Sequence, residues 1–124
     1  MRFSRDAIYG HIFSVTNRKY RRVTRKEIAE SFSMSAENLS AMLEGRRVMT
    51  PEQLRQWLQI FSIEADLFFQ KVRQIEEFLV RSGLTLVDGG DEPALSGRLA
   101  SGIIRSEISD DSIMELLQLP KRLT

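Results

Sequence analysis

Residues 24–45 constrain the fold of this chain more than any other stretch, because they contain two helix starts in close succession. The segment is TRKEIAESFSMSAENLSAMLEG. Thr24 and Glu27 have the spacing of a capping box, so we predict a helix from Arg25. Ser35 is a second N-cap residue, and Gly45 supplies a helix stop that tolerates a left-handed backbone. The segment therefore predicts two short helices joined by a tight turn.

The apolar residues of the segment recur at helical spacing, which predicts one buried face on each helix. They are Ile28, Ala29 and Phe32 in the first helix, and Leu39, Met42 and Leu43 in the second. Because Ala29 is small, the two helices can approach each other closely.

Helix signals before and after this segment predict two further helices. Ser4 can cap a helix upstream. Downstream, Thr50-Pro51-Glu52-Gln53 combines an N-cap, a proline at the first helical position and a capping-box glutamine. The apolar stripes are Ile8, Ile12 and Val15, flanked by Tyr9 and Phe13, in the upstream helix, and Leu54, Trp57, Leu58 and Phe61 in the downstream helix.

One ungapped pattern runs through the central segment: Thr24, Glu27, Ile28, Ala29, Ser35, Leu39, Ser40 and Gly45. It resembles the helix-turn-helix of the Cro and lambda-repressor-like family, although Ser33 stands where that family usually has glycine. With the neighbouring helices, the resemblance covers roughly residues 5–69. It implies an all-α, lambda-repressor-like helix-turn-helix bundle over residues 1–69, and a sequence-specific DNA-binding regulator of transcription.

The exposed face of the second helix would contact bases if the resemblance holds. The matching positions are Ser35, Ala36, Glu37, Asn38, Ser40 and Ala41. An asparagine can bond adenine through two hydrogen bonds, a glutamate can accept from cytosine, and alanines can contact thymine methyl groups. The alternative is a helical hairpin that binds protein, in which Glu37 and Glu44 repel phosphates.

The net charge of +1 hides two halves of opposite sign. Residues 1–50 contain ten Lys or Arg and five Asp or Glu, whereas residues 51–124 contain eight and twelve. Basic residues flank the helix-turn-helix, so we predict phosphate contacts there. The candidates are Arg18, Lys19, Arg21, Arg22, Arg25, Lys26, Arg46 and Arg47. The alternative is a solvated basic surface without a partner.

Residues 63–83 predict a long helix that ends at Gly83. Its apolar residues recur every three or four positions, which forms a narrow seam. Two interpretations compete: the seam packs against a second copy, or the chain's own C-terminal helices cover it. We favour a homodimer, because repressor-like domains commonly bind paired half-sites. The candidate interface residues are Phe68, Val72, Ile75, Phe78 and Leu79.

The chain changes character after Gly83. Residues 84–93 predict a linker that begins with an apolar run and turns acidic, and its carboxylates lack the further ligands of a calcium loop, so we predict no metal. Residues 94–124 predict a small helical tail. One helix has a weak stripe of Leu95, Leu99 and Ile103, and the last, capped by Ser109, carries Ile113, Leu116 and Leu117 before Pro120. This tail is expected to complete the dimer or to bind a ligand or partner protein.

The residues of catalysis are scarce. His11 is the single histidine, and cysteine is absent. With no glycine-rich phosphate loop either, we predict neither an enzyme nor a cofactor. No apolar run is long enough for a membrane span, and no signal segment follows Met1, so we expect a cytoplasmic protein.

The predicted function is a dimeric regulator that binds double-stranded DNA at a palindromic operator. The alternative is an antitoxin-like or adaptor protein whose acidic C-terminal half binds a partner protein.

Overall fold

A computed structural model of the chain describes residues 2–19, 23–87 and 97–116. The described residues form seven helices and two short strands. In chain order these are β1 (Arg2–Ser4), α1 (Arg5–Lys19), α2 (Arg25–Ser31), α3 (Ala36–Leu43), α4 (Pro51–Ile60), α5 (Ala65–Arg81), β2 (Thr85–Val87), α6 (Gly97–Arg105) and α7 (Asp110–Leu116). The prediction of a mostly helical chain is therefore confirmed.

The structure agrees with an all-α chain except for one small sheet. β1 and β2 pair in parallel, and Phe3 lies opposite Leu86. Strands of three residues have no stable structure alone, so each depends on a partner from the other end of the chain. The apolar run before the acidic linker is thus half of a small sheet.

Local hydrogen bonds begin the helices at the predicted positions. Thr24 Oγ1 accepts from the backbone N–H of Glu27 at 3.1 Å, and Glu27 Oε1 accepts from the backbone N–H of Thr24 at 3.3 Å. Thr50 and Gln53 form the same capping box at the start of α4. Ser35 Oγ accepts from the N–H of Asn38 at 3.1 Å. Because all these bonds join residues three positions apart, sequence alone predicts them.

Four helices end in the same hydrogen-bonded turn, the Schellman motif. After α2, for example, the N–H of Met34 donates to the carbonyl of Ala29 at 3.0 Å. In each turn, the residue just before the one whose N–H donates back to the helix has a positive φ. These residues are Ser33 (53°), Gly45 (74°), Ser62 (54°) and Gly83 (94°). Ser33 thus adopts the left-handed conformation that explains why glycine is usual at this turn position.

Helix α1 lies at the centre of the fold. It contacts α3, α5, α6 and α7. Its Phe13 ring stacks on Trp57 of α4 and on Phe68 of α5, with centroid separations of 4.7 and 5.2 Å. At Gly10 the backbone approaches α3 so closely that a Cβ would collide with the carbonyl of Leu43. α1 therefore joins α3 to the C-terminal helices.

The seam of α5 is buried inside the single chain. Phe68, Val72, Ile75, Phe78 and Leu79 are each 9% exposed or less. α1, α6, α7 and β2 all pack on this helix. The prediction that these five side chains form a dimer surface is therefore corrected: they are not available to a second copy while the chain keeps this fold. The competing interpretation, that the chain's own C-terminal helices cover the seam, agrees with the structure.

Several sequence predictions lie outside the described residues. They concern Arg21 and Arg22, the acidic linker from 88 to 93, Leu95, and the end of the last helix at Leu117 and Pro120. Within the described ranges, no helix has the length and apolar character that a membrane span requires.

Candidate nucleic-acid interface

Helix α3 has one buried face and one exposed face. Leu39, Met42 and Leu43 are buried, and α3 packs through them against α1 and α2. Of the predicted base-contacting residues, Ser35, Ala36, Glu37 and Asn38 are exposed, whereas Ser40 and Ala41 are partly buried. The first turn of α3 is therefore the part that is open to a ligand.

The polar groups of this first turn differ in what they can bind. In the described part of the chain, the Asn38 carboxamide makes no hydrogen bond, so its donor and its acceptor are both available. A side-chain amide with both groups free matches the hydrogen-bonding edge of adenine. Glu37 places a carboxylate in the same turn and repels phosphate. The chemistry of the turn thus suits a base edge better than a phosphate.

Exposed cations precede and follow α3 along the chain. Arg25 and Lys26 begin α2, Lys19 ends α1, and Arg47 follows α3. All four side chains are exposed, and none has an ion-pair partner among the described residues. Arg46 pairs with Glu44 at 2.8 Å on the open surface. An exposed pair of this kind contributes little free energy, so a phosphate can replace the carboxylate at small cost.

Arg18 makes an ion pair that the sequence did not predict. Its Nη2 atom donates to Asp110 Oδ2 of α7 at 2.7 Å, and Arg105 Nε donates to the other oxygen at 3.2 Å. Burial of Asp110 acts to raise its pKa, but the hydrogen bonds and charges of Arg105 and Arg18 outweigh burial and lower the pKa. Arg18 therefore ties α1 to α7 in this structure. Because its partner is far along the chain, sequence spacing did not reveal this contact.

A polar cleft beside the turn brings together residues that the sequence did not indicate as a site. The cleft has a volume of about 290 Å³ and lies between the end of α2 and the start of α4. Ser31, Ser33, Gln53 and Gln56 line it with hydroxyl and amide groups. Glu52 adds a carboxylate to the lining, so the cleft offers mixed polar groups and not a purely phosphate-binding set. These residues belong to α2, to the turn after it and to α4, and only the fold brings them together.

His11 is part of the core. Its side chain is 1% exposed, and its Nδ1 atom lies 2.8 Å from Ser101 Oγ of α6. Burial, followed by the positive charge of Arg105, lowers the pKa of His11 to about 4. The Nε2 atom is buried and has no hydrogen-bond partner in the described part of the molecule. His11 is thus a neutral residue that connects α1 to α6.

Lys71 of α5 is a second buried polar residue, at 5% exposure. Its ammonium group donates to Ser112 Oγ of α7 at 3.4 Å, and burial lowers its pKa. Among the residues that the structure describes, no group of three or more His, Asp or Glu side chains is placed to hold a metal ion.

No protein-family model, no curated protein and no solved structure matches this chain.

Proposed function

We propose that this chain is a sequence-specific DNA-binding regulator of transcription that inserts α3 into the major groove. The observation that supports the proposal most directly is the division of α3 into a buried apolar face and an open first turn that presents Asn38. An eight-residue helix is about 12 Å long, which the major groove accommodates.

Phosphate contacts would come from the cations that precede and follow α3 along the chain. Lys19, Arg25, Lys26 and Arg47 are exposed and have no competing carboxylate in the described ranges. Contacts to about four phosphates would give a slope near −4 when the logarithm of the binding constant is plotted against that of the salt concentration. This non-specific attraction would hold the protein on the duplex while α3 contacts bases.

Base preference would come chiefly from Asn38. Its carboxamide can form two hydrogen bonds with adenine, and the methyl group of Ala36 in the same turn can contact thymine. No arginine lies on the exposed face of α3, so the usual two-bond contact to guanine is absent from this helix. We therefore propose a recognition sequence rich in A·T pairs where α3 docks.

Selection of bound sequences from a random duplex pool at moderate salt tests the proposal. We expect enrichment of a motif with adenine at one strongly preferred position. Asn38→Ala should lose about 1 to 3 kcal/mol of binding free energy on that motif and relax the preference at that position. Equal losses on random DNA would show that Asn38 contacts no base.

The phosphate contacts require a separate variant and a matched control. Arg25→Ala with Lys26→Ala should weaken binding to every duplex and reduce the salt slope by about 2. Arg73→Ala with Arg98→Ala removes the same charge from the exposed surfaces of α5 and α6, and it should leave the slope nearly unchanged. Equal slopes for the two double variants would contradict the proposed phosphate contacts.

One observation favours the alternative, a protein-interaction module: α3 carries a carboxylate and no cation. If the random pool yields no enriched motif and the salt slope is near zero, the helix-turn-helix surface would instead bind protein. Recovery of a partner in fixed stoichiometry would then identify this class.

A further inference from the structure

An apolar groove lies between α5 and the small sheet. It has a volume of about 500 Å³, and its apolar lining residues are Phe3 of β1, Val80 of α5 and Leu86 of β2. Phe3 is fully buried and Leu86 is partly buried, so the apolar surface that a partner could reach is chiefly Val80, which is 55% exposed on the outer face of α5. A single exposed valine is ordinary, so the charges around it carry the argument for a partner.

Charges of both signs border this groove. Arg5 and Glu76 pair within the chain, with 2.6 Å between Arg5 Nε and Glu76 Oε1. Glu77 and Arg81 are also at the groove and are exposed, yet neither has an ion-pair partner among the described residues. An unpaired anion and an unpaired cation therefore stand about one helical turn apart on the surface of α5.

The order of these residues along α5 makes the surface complementary to itself. Positions 77, 80 and 81 lie on one face of a helix, since residues three and four apart are neighbours. If two copies of α5 cross in antiparallel orientation about a two-fold axis midway between positions 77 and 81, Glu77 of each copy faces Arg81 of the other. Such an interface repeats every contact twice, as a closed homodimer requires.

We propose that the groove around Val80, bordered by Glu77 and Arg81, is the surface through which two copies of this chain associate. A homodimer explains the charges better than a peptide or small ligand does, because both unpaired groups find partners in the same surface of the second copy. The role of this dimer rests on the proposed function: it would present two α3 helices to one duplex.

The location of the groove is compatible with that purpose. Its lining comes from β1, the start of α1, α5 and β2, and none of the described lining residues belongs to α2 or α3. A second copy on this surface would therefore leave both recognition helices uncovered. The proposed interface differs from the buried seam, because it uses the outer face of α5.

Sedimentation equilibrium of the full chain without DNA tests the inference. We expect the wild-type protein to form a dimer, and Val80→Asp to raise the dimer dissociation constant at least tenfold. Val48→Asp is the matched control, since Val48 is 61% exposed in the segment between α3 and α4, outside the groove. This control should dimerise like the wild type.

Charge reversal identifies the occupant. Glu77→Arg and Arg81→Glu should each weaken the dimer about tenfold, because each creates two like-charge contacts across the axis. The double variant should regain most of the lost affinity, since both contacts are again between opposite charges. A peptide or a different protein would not follow the exchange, so failure of the double variant to recover would contradict a two-fold interface.

Other results would overturn the proposal outright. A wild-type chain that stays monomeric at all concentrations would do so, and so would a dimer that resists Val80→Asp and both charge reversals. Circular dichroism checks that each variant folds, and if Val80→Asp does not fold, the charge series decides. A monomer that binds DNA would refute this interface but leave the proposed function intact. A dimer that depends on the groove but does not bind DNA would support the interface and refute the proposed function.

Discussion

The helix pair α2–α3 and the C-terminal helices of this molecule are held in place by different kinds of interaction. Hydrogen bonds between near neighbours in sequence begin and end α2 and α3, as at Thr24 with Glu27 and at Ser35 with Asn38. By contrast, Glu64, the N-cap residue of α5, makes no capping hydrogen bond with its side chain. α6 and α7 are attached to α1 by contacts such as Arg18 with Asp110.

This difference teaches where sequence patterns can be trusted. Both residues of a capping box can be identified from the sequence, so the pattern predicts a helix start and also the hydrogen bonds that stabilise it. An apolar seam identifies only one of the two surfaces in a contact. The seam of α5 was correctly predicted to be buried, but its spacing did not distinguish a second copy from α6 and α7.

The largest expected effect tests whether the α5 seam is core. Ile75→Asp would place a carboxylate at a position that is fully buried, and we expect a loss of about 5 kcal/mol of unfolding free energy or complete unfolding. Gln74→Asp is the control, because Gln74 is exposed in the next position and should change stability by less than about 0.5 kcal/mol. Urea denaturation measures both. If Ile75→Asp stays folded and is monomeric where the wild type is dimeric, the α5 seam would be an interface between two copies after all.

The next effect concerns the attachment of α6 to α1 through His11. Because burial holds the folded pKa at about 4, below the ordinary value of 6.5, the unfolded chain binds the proton more readily. Stability should therefore fall as the pH decreases from about 6.5 to about 4, by about 3 kcal/mol in total.

His11→Gln should remove the part of this pH dependence that lies between pH 6.5 and 4, because glutamine does not titrate. Asp110 affects a different range: its pKa is lowered by folding, so its contribution is lost only below the ordinary value of 3.8. Equal pH profiles for wild type and His11→Gln would show that His11 is not buried as a neutral group.

A smaller effect is expected where α1 crosses α3. Gly10→Ala would place a Cβ against the carbonyl of Leu43, and we expect a loss of about 1 to 3 kcal/mol as α3 shifts away. Gly102→Ala is the matched control in α6, where a Cβ would meet nothing within 4 Å. It should stabilise the chain by up to about 1 kcal/mol through helix propensity. Opposite signs in thermal denaturation support the close crossing.

The smallest effect separates the local turn from the tertiary contacts. Ser33→Gly should stabilise the chain by about 0.5 to 1 kcal/mol, because Ser33 has a φ of 53° that glycine adopts without strain. Gly83→Ala should destabilise the chain by a similar amount, because its φ of 94° is strained for alanine. No atom lies within 4 Å of the added Cβ, so the effect reports the backbone conformation alone. A destabilising Ser33→Gly would indicate that the serine side chain contributes to the turn.

The sequence predicted which side chains of the candidate site are exposed, but not all of their contacts. Asn38 and its neighbours in the first turn of α3 are exposed as the apolar spacing predicted, because a helix that buries Leu39 must turn the opposite face outward. The predicted cations that the structure describes are all exposed. Arg18 is exposed too but also pairs with Asp110, and charge patterning along the chain carries no information about such a distant partner.

The sequence by itself determined the starts of α2, α3 and α4, the turn at Ser33, and the polar face of α3, since these depend on interactions within a few residues. Only the tertiary structure decided that β1 pairs with β2, that α6 and α7 cover the α5 seam, and that Arg18 reaches α7. These contacts join segments that are far apart in the chain. They form only when burial of apolar surface repays the entropy of closing long loops, which no local pattern encodes.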